Sequence, residues 1–598
     1  MTLPILFVLA LVAGASLLLV SERLRPDLVA LALLVVLGLS GLVPADELFS
    51  GFSRPAVITI IALFIITAAL ERTGATRVLG QLLGRLAGQG EARAVLVVMV
   101  ATALLSLVMN TIAAAAVLLP AVIGLARQNS LRVSRLLMPL AFASLLGGMA
   151  TLFTTANILV SASLVDSGFA PYGVLDFVSV GLPMAVAGIL FVALYGRRLL
   201  PAQGLGGSRE ADRPTGTLTE AYGMTQAVSA CYVKPGSAMA GLSLAEGQWG
   251  EKLGLNVLGI SRGGGVNLAP RPRDEVLEGD IVLFTGITDD SELGRHGLKL
   301  TDDPSWSGQL ASEQVSLVEV TLAPRSTFAG QTLRDTHFRE KYDLRVLAIW
   351  REGQTLREAL AEIPLRFGDA LLLQGRRSKI NLLRDEPGLI VLEEDTGPLR
   401  VSRRAILAVL LTTLAVVLAA ANVLPIAETT FAAAVLMLLL GCLDMNDAYR
   451  AIEWKTVFLI AGMLPLALAL TTTGAAALVG DWLVAALGAL GPLAVAGGLF
   501  VAATLLTQIV SGQVTPLVLA PIAIAAAQRL GADPRGLALA VALGSSTAFL
   551  TPIAHSSNLL VMGPGGYRFK DYARLGLPLS LILFVVMLVG LALFWGIR

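Results

Sequence analysis

The sequence predicts an α-helical polytopic membrane protein, built from two inverted repeats of about five spans plus one re-entrant hairpin each, with a cytoplasmic α+β insert between them. Three observations lead to this fold class. Charged residues are concentrated in the middle third of the chain, and the flanking thirds contain apolar runs of membrane-spanning length. Those two flanking parts also share a sequence pattern.

The distribution of charge divides the chain into two membrane blocks around a soluble domain. Of the 598 residues, 44 are Lys or Arg and 43 are Asp or Glu, which is 15% of the chain, against about 25% in soluble proteins. Residues 201–400 hold 50 of these 87 charges, leaving 37 for the other two thirds. The net charge of +1 gives no reason to expect a nucleic-acid partner. Two cysteines and three histidines do not form a disulfide framework or a structural metal cluster.

Apolar runs of about 20 residues, the length that crosses a bilayer as a helix, mark the spans. The candidates lie at 3–20, 27–44, 55–71, 136–165 and 173–196 in the first half, and at 405–422, 428–442, 456–473, 536–562 and 575–596 in the second. The first run resembles a signal-peptide core in length. No basic residue precedes it and another apolar run follows at once, so we interpret it as a span.

Two further apolar stretches, 94–126 and 493–528, are too long for one span and carry polar residues at their centres. They are typical of re-entrant hairpins whose tips stop inside the membrane. Irregular backbone at that depth is tolerated where it lines a cavity or is buried in protein.

Lys and Arg residues predict the orientation, because they are enriched in cytoplasmic loops. With the N-terminus outside, most loop arginines fall inside, including Arg23, Arg72, Arg127 and Arg197. This arrangement places residues 201–400 in the cytoplasm and both termini outside the cell (inner) membrane.

The two halves, residues 1–200 and 401–598, are similar to each other. Residues 101–110 resemble 502–511, each followed by a proline ten residues on, and Asn157 and Asn558 share the offset of 401. An odd number of spans per half puts the repeats in opposite orientation. This is the plan of secondary transporters, in which the substrate lies between the repeats.

Four polar clusters interrupt the apolar runs at the hairpin tips and in the spans 136–165 and 536–562. Hydroxyls, amides and backbone N–H groups at the ends of broken helices suit an anion, and carbonyl oxygens suit a cation. The alternative for each single Ser or Thr is a bond to its own helix backbone. We expect a substrate site formed by Asn110, Thr111, Thr154, Thr155, Asn157, Ser511, Gln513, His555, Ser556, Ser557 and Asn558.

At these residues the chain resembles the divalent anion–sodium symporter family of the ion transporter superfamily. Residues 549–568, FLTPIAHSSNLLVMGPGGYR, are most similar to its sulfate-permease branch, whose members carry cytoplasmic inserts at the same place. The resemblance implies a small anionic substrate, of the sulfate or dicarboxylate class, held between two Ser-Asn-Thr hairpin tips. It also implies a sodium ion beside each tip.

Neither hairpin triplet matches this family pattern. The sodium-binding asparagine is replaced by Thr111 in one half and Gly512 in the other, and the threonine by Ile112 and Gln513. The resemblance therefore implies a better preserved sodium site in the first half and fewer coupled ions. The expected cation-binding residues are Ser106, Asn110, Thr111, Gly147, Gly148, Thr507, Ser511 and Gly512.

The insert contains its own repeat, at a spacing of 89 residues. Residues 255–260, LNVLGI, match 344–349, LRVLAI, and Gly279-Asp280 matches Gly368-Asp369. This pattern resembles two tandem RCK-C domains, here 218–300 and 312–394. The resemblance implies two roles that stay open: a site for a small-molecule effector, or a structural part that helps form a homodimer.

The function class that this sequence predicts is a cation-coupled secondary transporter of small anions, not an enzyme and without an organic cofactor. An RCK-gated ion channel or exchanger is the alternative, against which no filter-like Thr-Val-Gly-Tyr-Gly run is present. His555 is the titratable side chain among the polar clusters. It can bind the anion, carry a coupling proton, or serve as a neutral hydrogen-bonded residue.

Overall fold

The structure, a computed structural model, describes residues 2–21, 23–75, 90–129, 131–200, 402–510 and 512–598 of the two halves. In the insert it describes 228–392 apart from short gaps. Isolated positions 83, 86–88, 222 and 224 are also described.

Among its described residues, the first half has eight principal helices. They are α1 (Leu3–Ser21), α2 (Pro26–Leu39), α3 (Pro55–Arg72), α4 (Glu91–Ser106), α5 (Thr111–Gln128), α6 (Ser134–Met149), α7 (Thr155–Asp166) and α8 (Val178–Phe191). Short helical turns at Ala45–Leu48, Ser50–Ser53, Val192–Gly196 and Arg197–Leu199 complete this half.

Among its described residues, the second half has nine principal helices, eight of which follow the order of the first half. They are α9 (Arg403–Ala420), α10 (Ile426–Leu439), α11 (Trp454–Thr472), α12 (Ala475–Leu487), α13 (Pro492–Val510), α14 (Val514–Leu530), α15 (Pro534–Ser545), α16 (Ser556–Gly565) and α17 (Phe569–Phe594). Short turns lie at Met445–Ala451 and Gly488–Leu490.

Local sequence explains where several of these helices begin. Proline occupies an early position of α2, α3 and α15, where its fixed φ suits a helix and its missing N–H costs nothing. Ser402 caps α9 by accepting a hydrogen bond from the backbone N–H of Ala405.

The predicted helical, polytopic membrane fold is confirmed. Seven described helices are long and apolar enough to cross a membrane: Leu3–Ser21, Pro55–Arg72, Val178–Gly196, Arg403–Ala420, Trp454–Thr472, Pro492–Val510 and Phe569–Phe594. The stretches 94–126 and 493–528 each form two helices joined by a short turn, and 136–165 and 536–562 each form two helices separated by a non-helical segment. The span prediction missed α12, a separate helix of 13 residues.

Helices of the two halves pack on each other in matching pairs. α2 packs on α11 while α10 packs on α3, and α7 packs on α14 and α15 while α16 packs on α5 and α6. The halves therefore form one interlocked apolar core rather than two separate bundles.

The insert contains two five-stranded antiparallel sheets with the same strand order. The first has β1 (Val228–Val233), β2 (Asn256–Arg262), β3 (Gly265–Asn267), β4 (Ile281–Thr285) and β5 (Leu298–Leu300) in the order β3-β2-β4-β1-β5. The second has β6 (Val315–Leu322), β7 (Arg345–Arg351), β8 (Gln354–Leu356), β9 (Ala370–Arg376) and β10 (Leu389–Val391) in the order β8-β7-β9-β6-β10. Short helices flank them at Leu244–Gly247, Trp249–Leu253, Asp290–Arg295, Phe338–Tyr342, Leu360–Glu362 and Arg377–Leu383.

Equivalent positions of the two sheets make the same contacts. Arg262 pairs with Asp280, and Arg351, 89 residues later, pairs with Asp369; the ion-pair distance is 2.7 Å in both cases. Ala230, Leu283, Trp350 and other residues of both sheets share one apolar cluster. The two units of the insert are therefore packed against each other.

The second unit of the insert also contacts the membrane helices. Phe367, Ile390 and Leu392 belong to the apolar core of the helices. Gly368 meets α16 at such close range that a Cβ on Gly563 would lie 1.9 Å from the Gly368 carbonyl oxygen. Only glycine permits this approach of two backbones.

Candidate functional site

The first hairpin tip is the turn between α4 and α5. Asn110 precedes α5, and its Oδ1 accepts a hydrogen bond from the backbone N–H of Ile112 at 2.9 Å. Ser106, at the end of α4, is buried and donates its hydroxyl to the Ser144 carbonyl on α6 at 2.6 Å. Because its hydrogen is used there, the Ser106 hydroxyl keeps its lone pairs for a further donor or a cation.

The break between α6 and α7 is organised by Asn157. Its Nδ2 donates to the Thr151 carbonyl at 2.6 Å and to the Gly148 carbonyl at 3.4 Å, both in the segment leading into α7. Its Oδ1 is buried and, like the buried hydroxyl of Thr154, has no hydrogen-bond partner among the described residues. Buried oxygens without partners cost free energy, so we expect this pair to contact a water, an ion or a substrate.

Gly148 lies at the centre of the first-half group. A Cβ added there would meet the Thr154 methyl at 2.7 Å, the Thr111 methyl at 2.9 Å and the Ser106 hydroxyl at 3.9 Å. The structure therefore brings together Ser106, Thr111, Gly148 and Thr154, which the sequence placed in two separate clusters. Gly147 packs on the other side, with its Cα against the backbone of Ala103.

The second half repeats part of this arrangement. Thr507 donates to the Ser545 carbonyl at 3.4 Å, in the same way as Ser106 to Ser144, and also bonds to the Thr515 hydroxyl at 3.1 Å. Gly512 packs beside the Ser545 carbonyl. The predicted site residue Ser511 lies outside the described residues.

Asn558 organises the second break. Its Nδ2 donates to the carbonyls of Ala548 at 2.7 Å and Thr551 at 3.2 Å. Its Oδ1 and the Ser557 hydroxyl are buried without a hydrogen-bond partner among the described residues. Ser556 begins α16 and is partly exposed, as is Gln513 at the start of α14.

Three helix N-termini meet where the two halves join. The Thr111 hydroxyl at the start of α5 lies 3.3 Å from Nε2 of His555, whose Nδ1 accepts the Ser557 N–H and caps α16. Asn110 and Thr155, at the starts of α5 and α7, line one cavity of about 10 Å³ together with Ile60, Leu63, Phe64 and Phe153. Helix N-termini carry partial positive charge and unpaired N–H groups, so their meeting point attracts an anion.

The sequence analysis missed the polar groups that hold these segments in place. Gln508 donates to the carbonyls of Thr504 and Thr547, both at 2.9 Å, and accepts from the N–H of Leu550. The Tyr567 hydroxyl, in the second half, bonds to the backbone of Ser134 and Met138 in the first. A tyrosine in an apolar span signals such a bond, because its hydroxyl needs a partner when buried.

Known proteins match the chain over most of its length. The citrate transporter (CitMHS) family matches residues 16–515. An uncharacterized transporter of Escherichia coli, YfbS, is 34% identical over 599 residues, covering 98% of both chains. Sodium/sulfate cotransporter 1 of Chlamydomonas reinhardtii is 29% identical over 45% of this chain and 32% of its own. The sodium-dependent high-affinity dicarboxylate transporter 3 of Caenorhabditis elegans is 33% identical over 24% of this chain and 26% of its own.

The interlocked helical fold, with its hairpins and broken helices, agrees with the family match over most of the chain. Together they define a multi-pass membrane transporter. The chain belongs to the citrate transporter family. The predicted transporter class is confirmed at this level.

Proposed function

We propose that this protein is a cation-coupled secondary transporter of small anions of the sulfate or dicarboxylate class, working by alternating access. The observation that carries the proposal is the meeting of the N-termini of α5, α7 and α16 beside four unpaired buried oxygens. Partial positive charge suits an anion, and the oxygens suit a hard cation.

The charges of the surrounding segments support an anionic substrate. The stretches 101–113, 147–157, 504–515 and 544–558 contain no Asp or Glu. A cation transported alone would find the partial positive charge of helix N-termini in these stretches and no carboxylate to bind it. An anion would find N–H groups, hydroxyls and amides that can donate hydrogen bonds to it. The names of the sodium/sulfate and dicarboxylate relatives point to the same substrate class.

The first-half group fits a coupled sodium ion. The unpaired Asn157 Oδ1 and Thr154 hydroxyl have no donor to satisfy them among the described residues. The Ser106 hydroxyl, which keeps its lone pairs, also lies near Gly148, against which the Thr111 and Thr154 methyls pack. Such oxygens are ligands for a hard cation, and unwound helix segments hold sodium in transporters.

We further propose inverted repeats, a cytoplasmic insert and outside termini. The matching helix order and the reciprocal helix pairs support the repeats, and the loop arginines support the orientation. The experiment is labelling of Lys299→Cys, an exposed position of the insert, by an impermeant thiol reagent in intact cells. Labelling should require permeabilisation, and labelling of sealed cells would contradict the orientation.

The insert is proposed to be an RCK-C-like pair that regulates the transporter. Two sheets of equal strand order and the contact of Gly368 with α16 support this role, because α16 begins at the site residues. The homodimer stays a prediction that light scattering of the purified protein can check.

Uptake by proteoliposomes tests the proposed function. Labelled sulfate and succinate should accumulate against their gradients when a sodium gradient is imposed, and accumulation should collapse when sodium is equal on both sides. Thr154→Val should weaken sodium-driven uptake. Thr413→Val, which removes a hydroxyl that bonds only its own exposed helix turn, is the matched control. Downhill flux without any ion coupling would instead favour the channel alternative.

A further inference from the structure

A large groove separates the two units of the insert. It has a volume of about 940 Å³ and is lined by residues from both sheets and from the short helices Leu244–Gly247 and Phe338–Tyr342. None of its lining residues belongs to the helix breaks described above.

The two walls of the groove come from equivalent positions of the 89-residue repeat but differ in charge. One wall is neutral and the other cationic at the same repeat positions. The equivalent pairs are Ala245 and Arg334, Gln248 and His337, and Asn256 and Arg345. The repeat therefore supplies a symmetric cleft, and the substitutions make one side of it basic.

The basic wall is only partly neutralised by the protein: Arg334 pairs with Glu362 at 3.0 Å, whereas Arg339 and Arg345 form no ion pair among the described residues. Arg345 donates to the carbonyls of Val257 and Pro270 across the groove rather than to a carboxylate. Burial, and then the neighbouring charge of Arg339, lower the pKa of Arg345 to about 10. Burial also lowers the pKa of Arg339, which has no ion pair among the described residues. Glu340 is the acidic residue that lines the groove, and it lies 3.1 Å from His337.

Backbone strain is also concentrated at this groove. Five described residues other than glycine have a positive φ, and three of them line it: Gln248 at 49°, His337 at 46° and Ala359 at 49°. Gln248 and His337 are equivalent positions of the repeat. Left-handed backbone is unfavourable for residues with a Cβ and occurs preferentially at ligand sites.

We propose that this groove binds a small polyanion whose phosphate or carboxylate groups contact Arg339 and Arg345. Guanidinium groups hold both kinds of group through paired hydrogen bonds. Arg339 and Arg345 repel each other, Asp343 offsets this only in part, and an anion between the two arginines removes the repulsion. The site is separate from the transport site, so it does not depend on the proposed transport function.

Calorimetric titration of the purified full-length protein tests the site, with inorganic pyrophosphate and citrate as separate probes. At least one probe should bind saturably, and more weakly at high salt because the contacts are ionic. Arg339→Ala should weaken binding by about tenfold or more, as expected for a lost charge-assisted contact. Arg376→Ala, an exposed arginine outside the groove, is the control and should bind as the wild type does.

Two further variants keep the result decisive. Arg345→Ala is a second test of the basic wall, but it removes two hydrogen bonds between the units of the insert. If that variant does not fold, Arg339→Gln replaces it. Ala245→Arg copies the cation of Arg334 onto the neutral wall and should tighten binding. The proposal is overturned if neither probe binds at millimolar concentration, if Arg339→Ala binds normally, or if binding is lost in Asn157→Ala instead, which would place the anion in the membrane site.

Discussion

The two halves have one backbone plan and each leaves two buried side-chain oxygens unpaired at its helix break, but the second half also braces its break with the side chain of Gln508. In the first half, the methyls of Thr111 and Thr154 and the hydroxyl of Ser106 surround Gly148. In the second, the carbonyl that accepts the equivalent asparagine bond belongs to Ala548, and the hairpin has Gly512 where the first has Thr111.

Gln508 accounts for much of this difference. Its side chain makes three hydrogen bonds within the second half, whereas the equivalent position at the offset of 401 is the apolar Leu107. Thr507 is likewise occupied by a bond to Thr515. The second break thus has a side-chain brace that the first lacks, while each break keeps two buried oxygens without a hydrogen-bond partner among the described residues.

The insert adds a second asymmetry, because it packs on α16 through Gly368. We therefore expect the two halves to differ in role. The first binds the coupling cation, and the second contains the helix that the insert contacts. The following predictions test this division, from the largest expected effect to the smallest.

Replacing Asn157 by Ala should reduce uptake most, by about 100-fold. The change removes bonds to two backbone carbonyls in the first break, each worth about 1–3 kcal/mol when buried. Asn558→Ala should lose less, because Gln508 still holds the second break. Asn129→Ala, whose amide bonds only a carbonyl of its own helix, is the control. Equal losses in Asn157→Ala and Asn558→Ala would remove the distinction between the halves.

Replacing Gly563 by Ala should change uptake by about tenfold, since the added Cβ would lie 1.9 Å from the Gly368 carbonyl oxygen and must displace the insert from α16. Gly14→Ala, which has no heavy atom within 4 Å of its new Cβ, is the control. Protease protection of the insert, measured beside uptake, reports whether the contact opened. Normal uptake with an opened contact would show that the insert does not act through α16.

Gln508→Leu should lower the melting temperature and reduce uptake severalfold, because it leaves buried backbone groups unpaired at about 1–3 kcal/mol each. The reciprocal substitution, Leu107→Gln, introduces an amide at the equivalent position of the first half, where no such hydrogen bonds are needed. It should not restore the stability lost in Gln508→Leu. Thermal unfolding of both variants in detergent measures the difference. An unchanged melting temperature for Gln508→Leu would contradict the supporting role.

The smallest effect is expected for the pH dependence of uptake. Nδ1 of His555 accepts the N–H of Ser557, so the neutral imidazole carries its hydrogen on Nε2, facing Thr111. Protonating Nδ1 would break this cap. Uptake should therefore vary less than about twofold between pH 6 and 8, in the wild type and in His555→Gln alike. A steep rise toward acid pH that His555→Gln abolishes would instead support proton coupling.

Much of this architecture could be predicted from residue patterns alone. Polar residues in the middle of apolar runs marked both hairpins and both broken helices, because such residues are costly in lipid unless the backbone there is irregular. The 89-residue spacing in the insert likewise predicted two similar units. Helix α12 escaped detection because its 13 residues are short for a span.

The contacts that define the site could not be predicted in this way. Thr111 and His555 are 444 positions apart, and nothing local in either sequence segment indicates the other. Gln508 belongs to a polar cluster, but its role depends on carbonyls exposed by a break about 40 residues later. The difference in charge between the groove walls, one neutral and one cationic, became visible once the repeat was folded into facing surfaces.

Sodium dependence of uptake tests the central claim, that the first half holds the coupling cation. Proteoliposomes with wild type, Thr154→Val, Ser557→Ala and the control Thr413→Val would be compared over a range of sodium concentrations. Thr154 and Ser557 each carry one of the unpaired hydroxyls, in the first and second half respectively. We expect Thr154→Val to raise the sodium concentration for half-maximal uptake by about tenfold, as for one lost polar contact, and Ser557→Ala to leave it near the wild-type value. A larger shift in Ser557→Ala than in Thr154→Val would contradict the account.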